Sequence, residues 1–130
     1  MPSLGVSGCY LFTHPAVESA TDPSLEGKLL PQTPENVFTV RVSWNIIPRC
    51  TLTTQARYTD RQFEDDQNTR LLRSFTTLDA AILYRFSNKF STAIKVENLL
   101  DQEIESGKSA DGIVSIAAPR LVTVQLRCEL

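Results

Sequence analysis

The densest run of potential ligand oxygens in the chain is Glu64-Asp65-Asp66, in the stretch RQFEDDQNTRLLRS, and three carboxylates together have the look of an iron- or calcium-binding loop. A charge run of this size is more often the solvated tip of a loop, and that is the reading adopted here. His14, beside Pro15, is read as a loop residue. Three cysteines, Cys9, Cys50 and Cys128, are widely spaced and odd in number, form no CxxC, and have only His14 as a possible nitrogen co-ligand. They give neither a metal site nor a disulfide framework, and Cys128 behaves as a small hydrophobe. Serine, histidine and aspartate all occur, but no G-x-S-x-G elbow or other nucleophile setting accompanies them. The chemistry-bearing residues therefore point away from catalysis: no enzyme, no cofactor and no metal are expected.

Composition narrows the remaining classes. A chain of 130 residues with 42% hydrophobic content is one ordinary domain's worth of polypeptide. A net charge of −2 and a pI near 5.4 provide no basic footprint for nucleic acid. The amino terminus, MPSLGVSGCYLFTHPAVES, lacks a basic segment followed by an apolar run, so no signal peptide is read there. Nowhere do about 18 apolar residues run together. A membrane, if one is crossed, is crossed by strands.

Period two runs from end to end. In VFTVRVSWN, Phe38, Val40, Val42 and Trp44 alternate with Thr39, Arg41, Ser43 and Asn45. CTLTTQARYTD sets Cys50, Leu52, Ala56 and Tyr58 against Thr51, Thr53, Gln55, Arg57 and Thr59. TLDAAILYRF and FSTAIKVEN follow the same rule, blurred at Ala81 and Leu83. The closing stretch RLVTVQLRCEL places Val122, Val124, Leu126, Cys128 and Leu130 on one side. With a strand around VSGCYLFTH the pattern predicts six half-buried strands. The Val, Ile, Thr, Phe and Tyr enrichment suits a pleated surface, and no helical stripe persists over three turns.

The connections alternate long, short, long, short, long: residues 14–36, 46–49, 60–73, 87–89 and 99–117. An all-β antiparallel up-and-down meander with its long loops at one end and its tight turns at the other is the pattern of outer-membrane barrels. Trp44, Phe86 and Phe90 lie near the short turns and Phe38 and Tyr58 near the long loops, as interfacial girdles would. The strands approach the roughly 9–11 residues that cross a bilayer when tilted.

Three motifs then resemble one family. VENLLDQE, with Asn98, Leu99, Leu100 and Asp101, is similar to the N-L-F-D motif ahead of the last extracellular loop in TonB-dependent outer-membrane receptors. APRLVTVQLRCEL resembles their closing strand, Pro119 and Arg120 matching its Pro-(Gly)-Arg start, with Leu130 where those receptors end in an aromatic residue. GKLLPQTPEN, with Gly27, Pro31 and Pro34, resembles a G-x-x-L-P-x-x-P loop before a strand about six from the end. The motifs follow the family's order from about Tyr10 to Leu130.

The resemblance implies that residues 1–130 are one partial domain, the C-terminal section of a receptor barrel of about 22 strands, truncated and without its plug domain. It implies an open segment of wall in the outer membrane of a Gram-negative bacterium. The receptor would take up siderophore-iron, cobalamin or a glycan, and this segment would not act alone. Partners would be outer-membrane lipid, the plug and missing strands, and the TonB system through the missing N-terminal part. Phe38, Val40, Val42, Trp44, Val122, Val124, Leu126 and Leu130 would face lipid. Arg41, Gln55, Arg57, Asp79, Arg85, Lys95 and Arg127 would face the lumen, since Arg or Lys on the lipid face costs roughly 2–4 kcal/mol at the midplane. Asn98 and Asp101 are expected to form turns through local backbone bonds. The alternative is a soluble all-β ligand- or partner-binding domain, in which a second sheet would cover the Phe38–Trp44 face.

Overall fold

The computed structural model describes residues 2–129, and no α-helix occurs among them. Ten strands form: β1 (Ser3–Phe12), β2 (Asn36–Ile47), β3 (Cys50–Thr59), β4 (Gln62–Phe63), β5 (Leu71–Leu72), β6 (Phe75–Arg85), β7 (Phe90–Glu97), β8 (Glu105–Lys108), β9 (Val114–Ile116) and β10 (Leu121–Cys128). Six of them make one open antiparallel sheet in the order β1-β2-β3-β6-β7-β10. The meander is as expected. The other four form two small hairpins, β4-β5 and β8-β9, inside the second and third long connections.

Register explains why the alternation in sequence becomes two surfaces. Leu4, Trp44, Leu52, Ile82, Ile94 and Val124 stand opposite one another in turn across all six strands. A second row runs Val6, Val42, Thr54, Ala80, Val96, Val122. One residue beyond the second row, the other face carries Ser7, Arg41, Gln55 and Asp79 side by side. Sliding any strand by one residue would put its charges among its neighbours' apolar side chains, so each register is strongly fixed. One irregularity interrupts the ladder, between Asn45 and Ile47 at the entry to the β2–β3 turn.

The wall is a single layer, and its apolar face is not covered by a second sheet. Val122, Val124 and Leu126 are all exposed, Leu126 by 80%. The one buried large hydrophobic side chain among the described residues is Leu72, in the second long connection. Buried polar residues are Thr59 at the upper end of β3, Asp65 in the β4–β5 hairpin, and Asn98 just past β7. What interior the chain has lies at the long-loop end.

Several boundaries differ from expectation. The first strand begins at Ser3 rather than near Val6, Phe86 falls in the β6–β7 turn, and β10 closes at Cys128. The expected position of Leu130 lies outside the described residues.

Candidate binding surface

The long connections are built as one piece. The first, after β1, doubles back on itself: Gly27, at φ +78°, donates its N–H to the Val17 carbonyl, and Leu30 N–H donates to Pro15. A side chain at that φ would be strained, so a glycine there is a backbone requirement. Pro31 and Pro34 then bring the chain to Asn36 at the start of β2; neither has an N–H to extend the ladder.

Asn68 ties the first loop to the second. Leu29 N–H donates to Asn68 Oδ1 at 2.7 Å, and Asn68 Nδ2 donates to the Leu29 carbonyl at 2.8 Å. A side-chain amide thus stands in for a paired strand residue. Beside it, Gln32 N–H donates to the Phe63 carbonyl at 2.7 Å and its Nε2 to Glu64 Oε2 at 2.8 Å. The second loop meets the third through Arg73, whose Nε and backbone N–H both donate to the Glu105 carboxylate, at 2.8 and 3.0 Å. These bonds, the backbone one foremost, lower the pKa of Glu105.

Asp65 corrects the solvated-tip reading of the acidic run. Its carboxylate is buried and accepts from Thr69 Oγ1 at 2.6 Å, from Thr69 N–H at 3.0 Å and from Arg70 N–H at 2.7 Å. The Thr69 hydroxyl above all, with the two amides, holds its pKa down at about 2. Asp65 spends its oxygens on its own loop, and no cluster of metal-ligating side chains forms among the described residues.

The NLLD stretch is a turn, as expected. Asn98 and Asp101 sit at φ +50° and +53°, where Asn and Asp are tolerated. Asn98 Oδ1 accepts from Gln102 N–H at 3.0 Å and Nδ2 donates to the Gln102 carbonyl at 2.9 Å. Leu99 N–H extends the sheet by one bond to Leu78, and Leu100 is exposed. Asp101 reaches across the loop to Arg120, next to Pro119. The wall takes part too: Asp79 Oδ1 accepts from Asn98 N–H at 3.0 Å.

All seven charged or amide residues assigned to the polar face share it. Arg41, Gln55, Asp79 and Lys95 line one hollow of about 250 Å³. Arg85 and Arg127 belong to a larger one, about 630 Å³, toward the short turns. Arg57 stands between Thr39 and Thr77 in register. The opposite face carries Phe38, Val40, Val42 and Trp44, continued by Val122, Val124 and Leu126. The charge is unevenly spread: wall and short turns hold seven bases (residues 41, 49, 57, 85, 89, 95 and 127) against two acids (79 and 97), with Glu129 just past β10. Sequence reading missed Asn68, Gln32, Arg73 and Glu105, because contacts between separate loops leave no periodic trace.

A family model described as TonB dependent receptor-like, beta-barrel, matches residues 3–99. The chain belongs to the TonB-dependent receptor β-barrel family. Among curated proteins, a probable TonB-dependent siderophore receptor, PiuA of Acinetobacter baumannii, is 26% identical over 83 residues, covering 63% of this chain and 11% of its own length. The unliganded ferric citrate transporter FecA superposes with a TM-score of 0.83 at 19% identity, over 96% of this chain and 21% of its own. The crystal structure of PiuA gives 0.78 at 19% identity, over 96% of this chain and 19% of that one. The closed ferric-catecholate import receptor Fiu of E. coli K12 gives 0.75 at 23%, over 97% and 18%. This chain therefore spans about a tenth of the curated receptor and about a fifth of each of these three solved chains. The fold likeness extends past Leu99, over the turn and closing strand that the family model leaves unmatched.

Proposed function

We propose that residues 1–130 are a section of wall, with three outward loops, from an outer-membrane active-transport receptor of the ferric-siderophore class in a Gram-negative bacterium. The observation that carries this is the exposed apolar face, continuous over six strands and uncovered by any second sheet, backed by a charged face on the same strands. A face of that size in water is an aggregation hazard; in hydrocarbon it is at its lowest free energy. Phe38, Val40, Val42, Trp44, Val122, Val124 and Leu126 then touch lipid, while Arg41, Gln55, Arg57, Asp79, Arg85, Lys95 and Arg127 face the water-filled interior and the rest of the receptor.

In this reading the segment does not transport by itself. It supplies one side of the pore and, in the bonded loop group, a part of the outer surface that meets the cargo. Coupling to TonB runs through other parts of the receptor. Iron chelates are favoured over cobalamin or glycan because the matched proteins are named for siderophores and ferric citrate.

The test is uptake in cells whose only receptor of this kind contains this sequence. Radiolabelled ferric hydroxamate, ferric catecholate, ferric citrate and cobalamin are offered in turn, with and without a protonophore. Protonophore-sensitive entry of a ferric chelate, with the receptor in the outer-membrane fraction, is the expected result. Entry of cobalamin alone would reassign the cargo, and recovery of the protein in the soluble fraction would overturn the reading.

A further inference from the structure

Resting on the lumen-face assignment above, we propose that the short-turn end of the polar face is a docking surface for an acidic stretch of polypeptide. Arg49 and Arg85 stand directly opposite each other, the Arg85 N–H donating to the Arg49 carbonyl at 2.8 Å. Arg85 pairs in register with Ser91, and Ser91 with Arg127. Lys89 completes the group from the β6–β7 turn, its carbonyl accepting from Glu129 N–H. Four cations thus border one hollow of about 630 Å³, with Glu129 as the one carboxylate on its lining among the described residues.

That carboxylate is already engaged, Glu129 Oε1 lying 2.7 Å from the Arg127 guanidinium. Among the described residues, the Arg49 side chain donates only to the Phe86 carbonyl, at 3.3 Å. Like charges placed opposite on neighbouring strands destabilise a sheet, so the wall pays for this arrangement unless an anion lies across it. Ser91, Ala93 and Gln125 form a low floor between the arginines, leaving room for a peptide backbone with carboxylates reaching either side. An extended segment with two or three Asp or Glu at alternate positions would match the roughly 10 Å between Arg85 and Arg127, which are two strand spacings apart.

The site is tested in outer membranes of cells expressing the receptor that contains this sequence, with a photo-crosslinking amino acid in place of Ser91. Irradiation should join position 91 to another part of the receptor, and mass spectrometry should identify that peptide as rich in Asp and Glu. The double variant Arg85→Gln/Arg127→Gln should cut the crosslink yield at least fivefold, while the heat-modifiable folded band is kept. A crosslink to a neutral or basic peptide, to lipopolysaccharide, or to nothing in a folded receptor would overturn the proposal. So would a yield unchanged by the double variant. A receptor absent from the outer membrane would instead defeat the wall reading on which the proposal stands.

Discussion

The backbone N–H of Arg120 donates to Oδ1 of Asp101 at 2.9 Å, and the Arg120 guanidinium lies 3.7 Å from Oδ2 of the same carboxylate. One side chain in the turn after β7 therefore closes the base of the third loop at the start of β10. The contact joins two stretches that were separate motifs in the sequence, and it accounts for both: an αL turn that aims Asp101 outward, and a residue that arrives with its N–H free to be bound.

Asp101→Ala should open that base. The loss is one charge-assisted bond in a half-exposed setting, about 0.5–1.5 kcal/mol. Trypsin cleavage after Lys108 should become several-fold faster in Asp101→Ala, and Asp101→Asn, which keeps the acceptor and tolerates positive φ, should stay near the parent rate. Equal rates for all three would show that the bond does not hold the loop.

The second loop should loosen in acid. Asp65 has a folded pKa of about 2 against 3.8 for the free group. A depressed carboxylate pKa contributes stability that is complete above the unfolded value and disappears as pH falls through the folded one. Amide exchange at Thr69 and Arg70 should be protected at pH 6 and lose that protection between about 4 and 2, after correction for the intrinsic rate. Asp65→Ala should be unprotected, and flat across the range.

Asn68→Ala removes the partner of both Leu29 backbone groups, which costs about 1–3 kcal/mol for groups left unsatisfied in a partly buried site. Spin labels at Glu26 and Gln67 should give a narrow distance distribution in the parent and a broad one in the variant. A narrow distribution in both would mean that the loops are held by something else.

Leu72→Ala should cost about 2–5 kcal/mol by leaving a cavity in the loop group. Leu126→Ala, on an exposed position, should cost less than about 1 kcal/mol in detergent. Urea titration of loop tryptic resistance measures the first, and thermal shift of the heat-modifiable band the second.

The two faces of β10 make opposite predictions. In the receptor that contains this sequence, Val124→Arg places a cation toward lipid at about 2–4 kcal/mol, and Thr123→Arg places it toward the interior at little cost. The folded, heat-modifiable band should fall sharply in the first and persist in the second. Equal yields, or the reverse order, would refute the assignment of faces.

The wall was legible in the sequence because its information is local: Val122, Val124 and Leu126 are neighbours two apart, and period two survives without knowledge of any partner strand. The turn at Asn98–Asp101 was legible for the same reason. The hairpins β4-β5 and β8-β9 were not, since strands of two to four residues are too short to show a period. Asp65 was misread because charge counts ignore where backbone N–H groups point; burial there depends on Thr69 and Arg70 folding back. The Asn68–Leu29 bonds join positions 39 residues apart and appear only once the loops are in place.

The alternation of tight turns and long loops also divides the sheet by the order in which its pairings can form. β2 and β3 are joined by two residues, Pro48 and Arg49, and β6 and β7 by four, so each pair closes a small ring. The pairings β1–β2, β3–β6 and β7–β10 must each close a loop many residues longer. Closure entropy rises by about 0.6 kcal/mol for each doubling of loop length, and contacts near in sequence form fastest. The β2–β3 and β6–β7 pairs are thus expected to form first as the sheet assembles. β1 and β10 should then be added afterwards, each to the free flank of one of those pairs.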